Sequence, residues 1–79
     1  MDTSIIDGGN DRSERRERAY RHAADTHRHA EATELAAAEF FDGQGDFETA
    51  ARHRRNAELE RDRADADDAR ADAAGGGSA

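Results

Sequence analysis

Phe41-Asp42-Gly43-Gln44-Gly45-Asp46-Phe47 is the stretch that decides the fold of this 79-residue chain. It holds the only two glycines between residues 11 and 74, and the chain contains no proline. Gly43 and Gly45 favour a tight reversal, and Asp46 is a good N-cap, with Glu48 in the first turn of the helix that follows. Folding the sequence back about this turn sets Ala37 opposite Ala50, Ala30 opposite Ala57 and Ala23 opposite Ala64, each pair of numbers adding to 87. The same register sets Glu34 opposite His53, His27 opposite Glu60 and Tyr20 opposite Asp67. Small residues meet small residues and opposite charges meet, so the fold class read from the sequence is all-α, a long antiparallel two-helix hairpin.

Working outward, helix one is expected over residues 11–41, starting near Asn10 to Ser13, where Asp11 and Glu14 resemble a capping box. The turn occupies 42–45 and helix two runs over 46–74, giving a hairpin domain of 11–74. Residues 1–10 end in the breaker cluster Asp7-Gly8-Gly9-Asn10 and read as a flexible arm whose Ile5 and Ile6 are free to dock. Gly75-Gly76-Gly77-Ser78-Ala79 reads as a flexible tail. Between Arg61 and Ala74 no apolar residue exceeds alanine, which predicts weak packing and fraying along the distal half of helix two.

Composition makes the core the limiting quantity. Charged residues are 39% of the chain, and the large apolar ones reduce to Ile5, Ile6, Tyr20, Leu35, Phe40, Phe41, Phe47 and Leu59, apart from the initiating Met1. So few side chains do not repay an ordering cost of roughly 1–2 kcal/mol per residue in a lone hairpin. Association is the remedy, with dimerisation into a four-helix bundle as the expected form. Leu35, Phe40, Phe41, Phe47 and Leu59 gather toward the turn and are the expected partner-binding residues, for a second copy or an unknown protein partner. There is no cysteine, so neither a disulfide framework nor a thiolate metal site is available. The N-terminus lacks an apolar signal core and no stretch reaches about 20 apolar residues, which points to a soluble, cytoplasmic protein with no membrane contact.

Net charge is −7, from twelve arginines, no lysine and nineteen acidic residues. Residues 12–21 carry five Arg against two Glu, and residues 62–72 carry five Asp against two Arg. The antiparallel register lays these segments side by side, which specifies pairing direction more than it stabilises, because exposed pairs are screened by salt.

Chemistry-bearing residues are few. His22, His27, His29 and His53 with their neighbouring carboxylates are the metal or acid–base candidates, since imidazole plus carboxylate suits Zn, Fe or Mn. The layers His27/Glu60 and Glu34/His53 lie seven residues apart, about 10.5 Å along the axis, so one hairpin does not gather all four ligands and no metal site or cofactor is expected within it. They read as interhelix pairs, and an imidazolium held by a facing glutamate predicts helicity that weakens from mildly acidic to mildly alkaline solution. A metal-binding bundle of associated hairpins is the alternative. No Gly-x-Ser-x-Gly elbow, phosphate loop or His-Glu-x-x-His occurs, and no base surrounds Tyr20, so the chain does not read as an enzyme. The arginines of Arg12 to Arg21 and the cluster Arg52/Arg54/Arg55 raise a nucleic-acid-binding accessory role. With a pI near 4.9 and aspartates facing the first run, pairing within the hairpin is the preferred reading of those arginines.

From Glu34 to Asp62, Ala38, Phe41, Gly45, Phe47, Ala50 and Ala57 stand where a tetratricopeptide repeat places its small, aromatic and glycine residues, and this segment resembles one such repeat. It departs from the pattern at Glu34 and Arg54, which occupy aromatic positions, and at Asp62, which replaces the closing proline. The resemblance implies a helical hairpin with repeat-like turn packing and an adaptor or regulatory interaction role. Phe41-Asp42-Gly43 is also similar to the Trp-x-Gly turn of the small helical-hairpin substrates of type VII secretion, although no tyrosine follows Tyr20 to supply their export motif.

Overall fold

The computed structural model describes the backbone of residues 2–76 and the side chains of residues 11–75. It is a hairpin of two packed helices, α1 (Asp2–Gly43) and α2 (Phe47–Gly76), with no strand among the described residues. The Cα trace is a rod of 66 × 17 × 11 Å. At 1.5 Å per residue, the 42 residues of α1 account for nearly all of its length.

Helical backbone thus reaches upstream of the start near Asn10 to Ser13 marked by the capping residues. Gly8 and Gly9 oppose that extension by roughly 1 kcal/mol each, while every residue added to an existing helix gains one backbone hydrogen bond. The side chains of residues 2–10, Ile5 and Ile6 among them, lie outside the described residues, as do Met1 and residues 77–79 of the glycine-rich tail.

The reversal is a Schellman turn that passes directly into an N-cap. The Asp46 amide donates to the Phe41 carbonyl (2.9 Å) and the Gly45 amide to the Asp42 carbonyl (3.0 Å), which satisfies carbonyls that α1 would otherwise orphan. Gly45 sits at φ 79°, a left-handed conformation that costs a side chain but not glycine. Asp46 then caps α2: its carboxylate accepts from the Thr49 amide at 3.1 Å and from the Thr49 hydroxyl at 2.7 Å. Those bonds hold the Asp46 carboxyl below its ordinary pKa. One residue therefore closes the first helix with its amide and opens the second with its side chain.

The core is an alanine ladder. Ala50, Ala57, Ala64 and Ala71 are buried on α2 at strict heptad spacing, facing Ala24 and Ala38 on α1. The residues between them, Tyr20, His27, Glu34 and Phe41 on α1 and His53 and Glu60 on α2, are half-buried, and Asp67 is buried at 8% exposure. Together these positions alternate by three and four residues, the repeat that keeps one seam facing a partner helix. The alanine edge of α1 is displaced by one residue from the expected one, because Ala23, Ala30 and Ala37 are only half-buried. Side chains lean toward their helix N-terminus, so a given spot is covered by the residue about one position C-terminal to it.

Packing does not thin out along the distal half of α2, as its lack of large residues had implied. Ala64 and Ala71 are as fully buried as Ala50. Alanine is sufficient there because the helices approach closely. At the open end a Cβ on Gly75 would stand 2.5 Å from Glu17 Oε1.

Candidate interaction site

Three layers of the seam are polar, and their geometry follows from the register. His53 Nδ1 donates to Glu34 Oε2 at 2.8 Å, and the Phe41 ring stacks on the His53 imidazole at 5.4 Å between centroids and 5° between planes. Phe41 is thereby half-covered inside the hairpin, where it lids the pair and meets the Phe40 ring edge-on at 5.2 Å. His27 Nδ1 donates to Glu60 Oε2 at 2.7 Å, and Nε2 of the same ring faces Asp67 Oδ2 at 3.7 Å. Arg63 binds the other Glu60 oxygen at 2.7 Å and Arg70 the other Asp67 oxygen at 3.0 Å. The result is a connected polar run, Arg63–Glu60–His27–Asp67–Arg70.

This network explains how carboxylates are tolerated in the seam. The hydrogen bond from His27, with help from Arg63, lowers the Glu60 carboxyl below its usual range, and the bonds from His53 and then Asn56 do the same for Glu34. No buried side-chain polar atom lacks a hydrogen bond among the described residues. Asp67, opposite Tyr20 in the register, takes Arg70 and His27 as its carboxylate partners instead. The signal for this was present in the sequence, since Arg70 stands three residues after Asp67 as Arg63 does after Glu60.

The histidines do not converge. Glu60 and Asp67 approach opposite nitrogens of one imidazole, and His22 and His29 are exposed on the outer side of α1. Among the described residues no group of three or more His, Cys, Asp or Glu is placed to hold a metal ion. The arrangement orients polar side chains and pairs them across two helices.

Outside the seam, the two long faces of the rod differ. On one, Arg21 reaches Asp68 (3.4 Å) and Asp72 (2.7 Å), Arg28 reaches Asp65 (3.1 Å) and Asp68 (2.6 Å), and Arg54 pairs with Asp42. The Arg28 hydrogen bond lowers the Asp68 carboxyl from its ordinary value. On the other face, α1 presents Ala19, Ala23, Thr26, Ala30, Thr33 and Ala37, with Arg12 and Arg16 on the same two lines toward the open end. Of the five arginines in residues 12–21 only Arg21 crosses to α2. Arg12, Arg15, Arg16 and Arg18 are exposed and have no ion pair among the described residues, which corrects the side-by-side pairing expected for the whole run. Arg15 and Arg18 point away from α2 and Arg12 and Arg16 fall on the lines of Ala19 and Ala23, away from the aspartates, and segment charge counts carry no angular information.

The apolar residues divide between those two faces. Leu35 (45% exposed), Phe40 (60%), Phe47 (68%) and Leu59 (53%) are all exposed. Leu35 and Phe40 are separated by about 140° around α1. Counting in heptads from the seam places Leu35 and Phe47 on the ion-paired face, and Phe40 and Leu59 on the opposite one. A shallow groove lined by Ala30, Glu34, Asn56 and Arg63 lies on one side of Leu59, and a second, lined by Asp62, Ala66, Asp67 and Arg70, on the other.

No described helix is long and apolar enough to cross a membrane. No family model matches the chain, and neither a curated protein nor a solved structure is significantly similar to it.

Proposed function

We propose that this chain is a small helical protein–protein interaction module that acts by self-association, pairing as a dimeric four-helix bundle in an adaptor or regulatory role. One observation carries the reading: the buried apolar core described above contains nothing larger than alanine, while Leu35, Phe40, Phe47 and Leu59 are left in solvent. Burying a methyl-sized group stabilises by about 0.8 kcal/mol, against about 1.5–3 kcal/mol for a Leu or Phe side chain. The largest gain available to the hairpin is thus the one that a partner supplies. The repeat-like turn between residues 34 and 62 agrees with this role, since the resembled hairpins act by stacking on neighbours.

Sedimentation equilibrium across micromolar concentrations, with helicity followed in parallel, tests the reading. A dimer whose helicity falls on dilution is the expected result. A fully helical monomer at tens of micromolar overturns it.

A second reading is kept alive by the unpaired Arg12, Arg15, Arg16 and Arg18, which leave guanidinium groups open to phosphates. Nucleic-acid binding there requires an affinity that falls steeply with salt and with neutralisation of Arg15, Arg16 and Arg18. The chain's charge of −7 works against it, and salt-independent binding removes it.

A further inference from the structure

We infer that two copies of the hairpin pair in antiparallel fashion through the face opposite the arginine–aspartate pairs, Leu59 meeting the partner's Leu59 on a two-fold axis and Phe40 seated against the partner's Arg12, Arg16 and Ala19. This rests on the self-association reading and adds to it a face, a register and a reciprocal contact.

Charge selects the face. The ion pairs from Arg21, Arg28 and Arg54 to aspartates all lie on the opposite side, so a copy docking there would have to desolvate groups already satisfied within the chain. On the other side, Arg63 and Arg70 are held by Glu60 and Asp67 of their own helix, and Arg52 donates to Thr49 at 3.1 Å. What remains open there is Leu59, Phe40, a row of alanines and threonines on α1 and, toward the open end, Arg12 and Arg16.

Shape selects the two-fold. Leu59 is a knob flanked by two hollows, which is self-complementary under a two-fold rotation, the commonest symmetry of homodimers. Leu59 also lies near the middle of α2, so an axis beside it lets the paired length of both hairpins overlap fully. That length, about 45 Å at 1.5 Å per residue, by the 17 Å width presents about 770 Å² per copy, matching the roughly 800 Å² per partner of a stable interface.

Register supplies an independent check. In the hairpin Leu59 lies at the level of residue 28 of α1, and Phe40 lies twelve residues from that level toward the turn. A shallow hollow lined by Arg12, Arg15, Arg16 and Ala19 is centred near residue 16, twelve residues toward the open end. Both therefore stand about 18 Å from the proposed axis, on opposite sides, and the two-fold exchanges them. Phe40, Ala19 and Arg12 are also separated by whole heptads and so share one line along α1. The phenyl ring meets the Ala19 methyl and the aliphatic stems of two arginines, whose guanidinium groups have no carboxylate partner and are free to sit over its face.

The chain has no cysteine, so single cysteines report the geometry directly. Leu59→Cys is expected to give a disulfide-linked dimer under mild oxidation, Leu35→Cys none, and Phe40→Cys mixed with Ala19→Cys a cross-link that neither forms alone. Phe40→Ala is expected to weaken dimerisation by about tenfold or more. If the unsubstituted chain sediments as a dimer but Leu59→Cys stays unlinked, or Leu35→Cys links instead, the proposed face is wrong while self-association stands. A linked Leu59→Cys with no Phe40→Cys/Ala19→Cys product overturns the reciprocal contact. A monomer at tens of micromolar overturns this inference and the self-association reading together.

Discussion

The two long faces of the hairpin are built from the same helices and the same heptad frame, yet one is laced with arginine–aspartate pairs and the other carries alanine and threonine on α1 from Ala19 to Ala37. Arg21 and Arg28 stand one heptad apart and reach Asp68, Asp72 and Asp65 across the rod, whereas Ala23, Ala30 and Ala37 occupy the matching edge on the other side. The ion-paired side bridges the two helices above a seam that already joins them. The other side has no arginine–aspartate bridge between the helices among the described residues, and a further layer of helices adds there without breaking one. Opposite charge and small size are thus used for different ends on the two edges of one seam.

The most disruptive change is to charge the seam that both faces share. Ala64→Asp places a carboxylate at a fully buried site with no arginine or histidine assigned to it, which costs about 3–5 kcal/mol. Loss of most helicity at neutral pH, followed by circular dichroism, is the expected result. Ala36→Asp, one heptad beyond the exposed His29 on the outer side of α1, should leave the helices intact. Equal helicity in the two variants would show that the alanine ladder is not the core.

Next in size is the contrast between the faces themselves. Leu59→Asp and Leu35→Asp remove comparable exposed surface from opposite sides. Sedimentation should show Leu59→Asp weakening association by at least about tenfold, with Leu35→Asp close to the parent. The reverse order would move the interface to the ion-paired face.

Much of this was readable before any coordinates. Alanines at a seven-residue period together with His27/Glu60 and Glu34/His53 define the antiparallel register, because only one alignment brings both sets together, and the structure brings His27 to Glu60 and His53 to Glu34. Asp46 as a cap was equally plain from its place after Gly45. What a linear reading misses is angle. It counted the arginines of residues 12–21 as one strip, though among the described residues only Arg21 reaches the aspartates of α2, and it grouped Leu35 with Phe40, though five residues turn a helix by well over a right angle. It also took Ala23, Ala30 and Ala37 as the buried edge when Ala24 and Ala38 are deeper, an offset that comes from the lean of Cα–Cβ bonds.

Acid should loosen the seam, the ion-paired face and the turn together, more than any single surface substitution does. The carboxyls of Glu34, Glu60, Asp68 and Asp46 are all lowered in the folded chain, by His53, His27, Arg28 and Thr49 respectively. A depressed carboxyl contributes stability that is present above its unfolded value, about 4.3 for Glu and about 3.9 for Asp, and is lost as pH falls through the lower folded value. Melting temperatures should therefore hold between pH 7 and pH 5 and drop below about pH 4. Replacing Glu34 and Glu60 by Gln should shrink that drop, and an acid-side profile unchanged by those replacements would disconnect the seam pairs from stability.

The smallest effect isolates the ion-paired face. Arg28 bridges Asp65 and Asp68 while remaining in solvent, so Arg28→Gln removes attraction that water and salt already weaken. The melting temperature should fall only slightly in dilute buffer, and the difference from the parent should vanish near 1 M salt, where the Debye length is about 3 Å. Helix direction is a sharper readout than stability here. With Arg21 and Arg28 both changed to Gln, the antiparallel fold keeps its alanine ladder, its Schellman turn and the His27–Glu60 pair, so helicity should persist. A cooperative collapse of the double variant at low salt would show that the charged face holds the hairpin closed, and not the seam beneath it.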